Sequence, residues 1–250
     1  MRKIISCLLC FAFLFSLASC NDVSESFQKE KLIAVKYASA NEKASDSYIS
    51  QGYTKVTYNS SSDVVLAVEN RKADYGILDD FELASFLYAD RGIKEKAVCE
   101  YSIDYCAYFA LENEALQKEF NKAITDLKSD GTLDEIKNCH LKGKSFLNSA
   151  EDNENGTLTM LCDPSFENRV YTQVDGKISG LDSDTAKAIC NYLGYDLEIV
   201  TADFDELFIK LQDGEGDFIM SACEVNEERE EYYLLSDVYF TLNYYLIEKE

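Results

Sequence analysis

A short apolar run, Phe218 to Met220, restricts the fold of this chain more than any other feature of its sequence. It follows a Gly-x-x-Asp turn and leads into the small residues Ser221 and Ala222, which is typical of a buried strand whose carboxyl end opens into a cleft. Ligands of open α/β sheets bind at such ends, and the guanidinium of Arg229, just beyond, matches a carboxylate. The run predicts an α/β sheet with an anion site, although spacing alone favours a solvated cation among neighbouring glutamates.

The same pattern occurs twice in the chain. In residues 70–80 and again in residues 212–222, a helical segment stops, a turn carries an aspartate, and a short apolar strand ends in polar residues. The first of these strands delivers Asp79 and Asp80 at its carboxyl end. We interpret the two units as equivalent parts of two similarly built lobes, which 250 residues are long enough to form.

Three stretches resemble the family 3 bacterial solute-binding proteins, the polar amino-acid receptors of ABC importers. They are the strand–turn–arginine region that ends in Ser236-Asp237-x-Tyr239, the segment DGKISGLD at residues 175–182, and the segment SDGTLDEI at residues 129–136, which resembles a signature that normally closes the family's chains. The resemblance implies a two-lobed α/β fold of the periplasmic-binding-protein-like type II class. Because the second-lobe pattern precedes the first-lobe pattern, it also implies a circularly permuted order.

The resemblance and the composition together predict the boundaries of the domains. They are a lipoprotein signal peptide at residues 1–19, a tether at 20–30, the second-lobe pattern with the C-terminal helices at 31–140, a polar linker at 141–156, and the first-lobe pattern with a hinge strand at 157–250. A linker of about 16 residues reaches roughly 20 Å. We expect one crossover between the lobes to be lost. A dimer with exchanged lobes and a fragment of a longer tandem protein remain alternatives.

The amino-terminal segment predicts a lipid anchor. Arg2 and Lys3 precede an apolar run that ends in Leu-Ala-Ser-Cys20, which resembles a bacterial lipoprotein signal with its lipobox. The alternative is a transmembrane helix, but the run is short for one. We therefore expect lipidation of Cys20 and a location on the extracytoplasmic face of the cell membrane. The net charge of −22 excludes nucleic acid as a partner and leaves the anchor as the only membrane contact.

The resemblance also implies the ligand site, residue by residue. Arg229 would bind the α-carboxylate of an amino acid and Asp79 its ammonium group, because a buried charge needs a partner. Phe166 would lie over the ligand side chain. The remaining positions are Ser221 and Ala222 on the cleft strand, Ser39 in the second-lobe loop, and Glu224. Each has a simpler alternative: a helix-capping aspartate at Asp79 with Asp80 as its substitute, a core phenylalanine, or an ordinary loop serine.

Several positions depart from the family pattern. Ala38 stands where a glycine is usual, and Ala40 stands where a hydroxyl is common. Asn226 replaces a threonine, and Glu224 occupies a position often held by a small hydroxyl residue. Glu224 could favour a cationic ligand, pair with Arg229 and obstruct the site, or point to solvent, and the sequence leaves these three alternatives open.

The favoured function is capture of an amino acid or similar small zwitterion for an ABC permease. The alternatives are a lipoprotein that uses the same fold as a sensor or interaction module, and a lyase or dehydratase on this fold. His140, the only histidine, falls at the linker, and no nucleophile motif, zinc spacing or phosphate loop is present. The sequence therefore predicts no catalytic residue, metal or cofactor. The six cysteines after Cys20 are predicted to be free thiols.

Overall fold

The computed structural model of the protein describes residues 30–147 and 153–250. The predicted signal peptide, Cys20 and nearly all of the predicted tether lie outside the described residues, as do residues 148–152 of the predicted linker. Within the described part of the chain, no helix combines the length and the apolar character needed to cross a membrane.

Strands and helices alternate along most of the described chain, so the predicted α/β class is confirmed. The strands are β1 (Leu32–Lys36), β2 (Thr54–Tyr58), β3 (Tyr75–Asp79), β4 (Ile93–Tyr105), β5 (Tyr108–Phe109), β6 (Thr157–Cys162), β7 (Ser165–Phe166), β8 (Val170–Thr172), β9 (Ile178–Ser179), β10 (Asp196–Thr201), β11 (Phe218–Ile219), β12 (Leu234–Leu235) and β13 (Phe240–Lys249). The helices are α1 (Ala40–Ala44), α2 (Asp46–Ser50), α3 (Ser61–Glu69), α4 (Asp80–Tyr88), α5 (Glu114–Ser129), α6 (Thr132–Leu141), α7 (Leu181–Leu193) and α8 (Phe204–Gln212).

One five-stranded sheet has the order β2-β1-β3-β13-β4 and is called the β1 sheet. β1 is parallel to β2 and β3, whereas β13 is antiparallel to both of its neighbours. Helix α3 packs closely on this sheet because β3 carries Gly76, where a Cβ would lie 2.9 Å from Val64 and 3.1 Å from Val68. The β1 sheet with α1–α4 forms the β1 lobe.

The second five-stranded sheet has the order β10-β6-β11-β5-β12 and is called the β6 sheet. β10, β6 and β11 are parallel, and β7, β8 and β9 form a small antiparallel sheet of their own. The buried face of α5 packs on this sheet through Phe120, whose ring centre lies 4.7 Å from that of Phe218. The β6 sheet, the small sheet, α7 and α8 form the β6 lobe, and α5 and α6 contact α7.

Two extended segments join the lobes side by side. The first runs from Tyr105, at the end of β4, through residues 106–107 to β5, and the second, residues 236–239, connects β12 to β13. The Ser236 N–H donates to the Ala107 carbonyl at 2.9 Å, and the Tyr239 N–H donates to the Tyr105 carbonyl at 3.0 Å. The expected loss of one crossover is therefore wrong, because β13 itself enters the β1 sheet between β3 and β4.

The start of α8 is not capped by the side chain of the residue directly before it. Asp203 and Glu206 match a capping box in sequence, but Asp203 makes no capping hydrogen bond through its side chain. The Phe204 N–H instead donates to Oδ2 of Asp163 at 3.1 Å, a contact 41 residues away along the chain. The other carboxylate oxygen of Asp163 accepts the Ser165 N–H at 3.0 Å, so Asp163 also holds the turn that follows β6.

Candidate functional site

A cleft of about 1100 Å³ lies between the two lobes. The β1 lobe contributes residues at or just beyond the carboxyl ends of its parallel strands, β1, β2 and β3, and the β6 lobe contributes the β7–β8 hairpin and Ala222. The walls include acidic and basic residues (Lys36, Asp79, Glu82, Lys142, Glu167, Arg169), one histidine (His140), serines (Ser60, Ser61, Ser62, Ser85, Ser165) and aromatic residues (Phe81, Phe86, Tyr88, Tyr105, Phe166). Such a mixture suits a small ligand with polar and apolar parts.

Asp79 stands at the carboxyl end of β3, where the strand passes directly into α4. Its Oδ1 accepts hydrogen bonds from the N–H groups of Phe81 and Glu82, at 2.9 and 2.8 Å, and the Glu82 carboxylate accepts the N–H of Asp79 at 3.2 Å. This reciprocal arrangement is a capping box. Asp79 thus has the capping role considered as its alternative, and it also lines the cleft.

The pKa of the Asp79 carboxyl group is higher than that of an ordinary aspartate. Burial, followed by repulsion from Glu82, raises its pKa from 3.8 to about 6. The N–H groups of its capping box and the positive charge of Arg169 act in the opposite direction. Glu82 is itself held by hydrogen bonds from Ser61 and from the amide of Asn41, the latter at 3.0 Å, and it lies 3.8 Å from Lys36.

Arg169 lines the same cleft from the opposite lobe, in the turn between β7 and β8. Only 6% of this residue is exposed. The central carbon of its guanidinium lies 4.2 Å from the ring centre of Phe240, 4.6 Å from that of Tyr105 and 4.8 Å from that of Phe81. Arg169 is not among the site residues predicted from the sequence. The available signal was its place in the loop that follows β6, because loops at the carboxyl ends of parallel strands form ligand sites.

Asp182, at the start of α7, is a second acid close to Arg169, and it is fully buried. Its Oδ2 accepts the N–H of Ala222 at 2.6 Å, and its Oδ1 accepts the hydroxyl of Tyr239 at 2.9 Å. Burial raises the pKa of this carboxyl group, whereas the charge of Arg169 and these two donors lower it. Asp182 thereby joins the β6 lobe to one of the crossing segments.

Arg229 is not among the residues that line the cleft. It lies in a 3-10 turn, Glu227–Glu231, and its guanidinium carbon is 4.5 Å from the ring centre of Phe208 and 5.9 Å from that of Phe204. Phe204 contacts Phe166 of the cleft wall, with ring centres 5.6 Å apart. In this structure Arg169, and not Arg229, shares the cleft with Asp79. Binding of a carboxylate by Arg229 stays a prediction.

The other predicted ligand residues divide into two groups. Phe166 and Ala222 line the cleft, although the Ala222 N–H is already bonded to Asp182. Ser221 is fully buried, and its hydroxyl accepts the Asp163 N–H at 2.9 Å. The hydroxyl of Ser39 donates to the Lys36 carbonyl at 2.8 Å. The roles of these four residues in binding stay predictions.

Glu224 and Asp80 differ in their exposure to solvent. Glu224 is exposed, as in the alternative in which its side chain points to solvent. Asp80 is buried, and its carboxylate accepts the N–H of Asn243 and the hydroxyl of Tyr245, both at 2.8 Å. Lys137 lies 3.6 Å from the same carboxylate. Asp80 therefore joins α4 to β13 and α6, and its carboxylate is not free to substitute for Asp79.

Ala38, which stands where the family usually has a glycine, lies in the loop after β1. Ala38 has a φ of 52°, in the left-handed region that favours glycine. Its N–H donates to the Glu42 carboxylate at 2.8 Å, and this bond holds the loop against α1. No group of His, Cys, Asp and Glu side chains within the described residues is arranged to hold a metal ion.

Residues 158–250 match the model of the bacterial extracellular solute-binding proteins, family 3. This part of the chain is a family 3 solute-binding segment. The resemblance stated for it from the sequence is thus confirmed. The permuted order of the lobes stays a prediction.

Two curated proteins share sequence with the chain that carries this family 3 segment. Membrane-bound lytic murein transglycosylase F of Desulfosudis oleivorans is 41% identical over 68 residues, which are 27% of this chain and 15% of that protein. The arginine-binding extracellular protein ArtP of Bacillus subtilis is 28% identical over 103 residues, which are 41% of this chain and 40% of that protein. The chain therefore spans less than half the length of either relative.

Solved structures match parts of the chain as well. The arginine-bound form of domain 1 from TmArgBP is 28% identical and covers 38% of this chain and 81% of that one, with a TM-score of 0.33.

Proposed function

We propose that the protein is a membrane-anchored, extracytoplasmic solute-binding protein that captures an amino acid or a similar small zwitterion in the cleft between its lobes, for an ABC importer. One observation carries this proposal: a carboxylate from the β1 lobe, Asp79, and a guanidinium from the β6 lobe, Arg169, line one cleft. A zwitterion gives up its hydration only if both of its charges find partners. It would bridge the lobes and hold them closed.

The size and chemistry of the cleft are suited to such a ligand. At about 1100 Å³ it exceeds the needs of a single amino acid, so we expect the lobes to close further on binding. Charge-assisted hydrogen bonds contribute roughly 1.5–3 kcal/mol each, and about four of them are enough for a micromolar affinity after the cost of ordering.

The proposed site includes all of the ligand residues that the family resemblance implies. Asp79, Phe166 and Ala222 stand on the cleft wall, and Ser39, Ser221, Glu224 and Arg229 stand behind or beside it. The resemblance assigns the carboxylate of the ligand to Arg229. The geometry offers Arg169 as a second guanidinium, inside the cleft itself.

The organisation of the chain and its anchor belong to the same proposal. Lipidation of Cys20 would hold the protein at the cell membrane next to its permease. The two crossing segments and the contacts of α5 and α6 with α7 support a permuted receptor whose lobes assemble within one chain. A dimer with exchanged lobes would show twice the chain mass in light scattering.

Isothermal titration calorimetry of the full chain, purified in mild detergent, tests the proposal. We expect saturable heat with micromolar affinity for at least one of the standard amino acids. Asp79→Asn should weaken this binding about 10- to 100-fold, whereas Asp213→Asn, at an exposed residue at the end of α8, should leave it unchanged. Absence of heat with every amino acid would refute the proposed ligand class, and chemical turnover of the ligand would favour the enzyme alternative.

A further inference from the structure

The guanidinium of Arg169 is buried without a full set of partners. Its Nη1 atom is shielded from solvent and has no hydrogen-bond partner, and it is the one buried side-chain nitrogen or oxygen in this condition among the described residues. Nor does an ion pair within 4.0 Å join Arg169 to any acid of residues 30–147 and 153–250. Native proteins rarely leave a buried donor unmet, so each such group needs a specific explanation.

The rings around Arg169 satisfy only part of the group. Phe81, Tyr105 and Phe240 surround the guanidinium, and cation–π contacts of this kind stabilise its charge. Of these three residues only Tyr105 carries a hydrogen-bond acceptor, its hydroxyl oxygen, whereas a guanidinium has five N–H donors. A planar, bidentate acceptor such as a carboxylate is the group that this plane recognises best.

The nearby acids already accept hydrogen bonds from other groups. Asp182 accepts from Ala222 and Tyr239, and Asp79 accepts from the first N–H groups of α4. Neither carboxylate forms an ion pair with Arg169 within 4.0 Å, although the charge of Arg169 acts on both of them. The arrangement therefore places a cation with free donors on one wall of the cleft and an acid on the other.

The backbone holds Arg169 in a fixed position. Its N–H donates to the Phe166 carbonyl at 3.1 Å, and its carbonyl accepts the Asp182 N–H, from the first turn of α7, at 2.8 Å. Asn168, just before it, adopts a left-handed conformation with a φ of 66°. Because the backbone is held by these bonds and the side chain is packed among three rings, Arg169 loses little freedom when it binds a ligand, which is the property of a preorganised site.

We propose that Arg169 binds the carboxylate group of the cleft ligand, with Asp79 receiving the cationic group from the opposite lobe. This inference rests on the proposed function and names the residue that would anchor its ligand. It assigns to Arg169 the role that the family resemblance assigns to Arg229. Lys36, the cation that the β1 lobe contributes to this cleft, is already close to Glu82 and is substantially exposed, so it is the weaker candidate.

Nuclear magnetic resonance of the full chain labelled with ¹⁵N-arginine provides a direct test. The sequence has five arginines, so the Nε–H signals are few. Single Arg→Lys substitutions at positions 2, 71, 91 and 229 assign these signals and leave Arg169 intact. The chain is then titrated with acetate, with amino acids, and with the corresponding amino-acid amides, which lack the carboxylate. We expect saturable shifts of the Arg169 signal with acetate and amino acids and a much smaller effect of the amides.

Affinities of variants provide the second measurement. Arg169→Lys keeps the charge but loses the fork of donors, and Arg169→Gln loses both. We expect binding to weaken about 10- to 150-fold in Arg169→Gln, as for the loss of charge-assisted hydrogen bonds, and by less in Arg169→Lys. The matched control variant Arg71→Gln, at an exposed arginine outside the cleft, should change the affinity less than about 3-fold. Should Arg169→Gln fail to fold, the intact protein still provides the resonance test.

The outcomes separate this inference from the proposed function. If an amino acid binds and shifts the Arg229 signal while that of Arg169 stays constant, the inference is wrong and the proposed function stands. If acetate shifts the Arg169 signal but no amino acid produces heat, the inference stands and the proposed ligand class is wrong. If no carboxylate shifts the Arg169 signal and no amino acid binds, both are wrong.

Discussion

Gly180 lies so close to the backbone of Arg169 that a Cβ at position 180 would stand 2.2 Å from the Arg169 carbonyl oxygen. Gly180 also has a φ of 134°, which side chains rarely permit. This glycine lets the first turn of α7 approach the β7–β8 hairpin, and the Asp182 N–H then donates to the same carbonyl. The position of the cleft arginine thus depends on a residue of the segment at 175–182 that resembles a family motif.

Gly180→Ala should lower the free energy of unfolding by more than about 2 kcal/mol, because the clash involves backbone that cannot move aside. Urea denaturation followed by circular dichroism measures the change. Gly92→Ala is the matched control, since Gly92 has open space around its Cβ position and lacks a positive φ, and it should be nearly neutral. Equal destabilisation by the two substitutions would contradict this account.

Ala38→Gly should stabilise the protein by up to about 1 kcal/mol, because glycine adopts the left-handed conformation of this loop without the strain that alanine experiences. The measurement is again the midpoint of urea denaturation. Ala84→Gly, inside helix α4, should have the opposite sign and cost about 1 kcal/mol. A loss of stability in Ala38→Gly would show that the strain is absent.

Asp79→Asn should change how stability depends on pH. Because the folded protein keeps the proton of Asp79 up to a pKa of about 6 and the unfolded chain loses it near 3.8, ionisation of this group opposes folding. Its contribution to stability is therefore fully present below about pH 4, decreases as the pH rises to about 6, and is constant above.

Asparagine preserves the acceptor of the capping box and removes this titration. The difference in the free energy of unfolding, Asp79→Asn minus parent, should increase by on the order of 2 kcal/mol between pH 4 and pH 7. Denaturation curves at several pH values measure the difference. Parallel pH profiles for the two proteins would show that Asp79 titrates normally.

Tyr239→Phe removes one of the two hydrogen bonds that Asp182 receives from Ala222 and Tyr239. Since Asp182 is fully buried, the variant should lose about 1–3 kcal/mol of stability. Tyr232→Phe is the control, because Tyr232 is 58% exposed, and it should change stability by less than about 0.5 kcal/mol. If both variants melt at the same temperature as the parent, the Asp182–Tyr239 bond contributes nothing.

Local periodicity was sufficient to predict most of the secondary structure. The buried face of α5 and the strand that ends at Asp79 both follow from patterns within a few residues. Capping was harder, since Asp79-x-x-Glu82 and Asp203-x-x-Glu206 are equally good boxes in sequence. Only the first forms, and at α8 the one side-chain acceptor found for the Phe204 N–H among the described residues is the distant Asp163.

The site was predictable in kind but not in detail. The two-lobed pattern correctly indicated that Asp79 would reach a cleft, because the carboxyl ends of parallel strands meet at one edge. Arg169 stands in a hairpin turn without periodicity or motif, and its burial depends on rings from three separate parts of the chain, near residues 81, 105 and 240. Contacts of such long range cannot be deduced from spacing along a single sequence.

The two crossing segments run beside one another and are bonded to each other through Ala107 and Ser236 and through Tyr105 and Tyr239. Two adjacent segments bonded in this way allow the lobes to rotate about an axis through the segments. They oppose translation of one lobe along that axis. We therefore expect the β1 lobe and the β6 lobe to open and close by a hinge rotation about the crossing segments. A substitution that makes one crossing segment more rigid should lower the dissociation rate of a ligand in the cleft, even if the substituted residue does not contact that ligand.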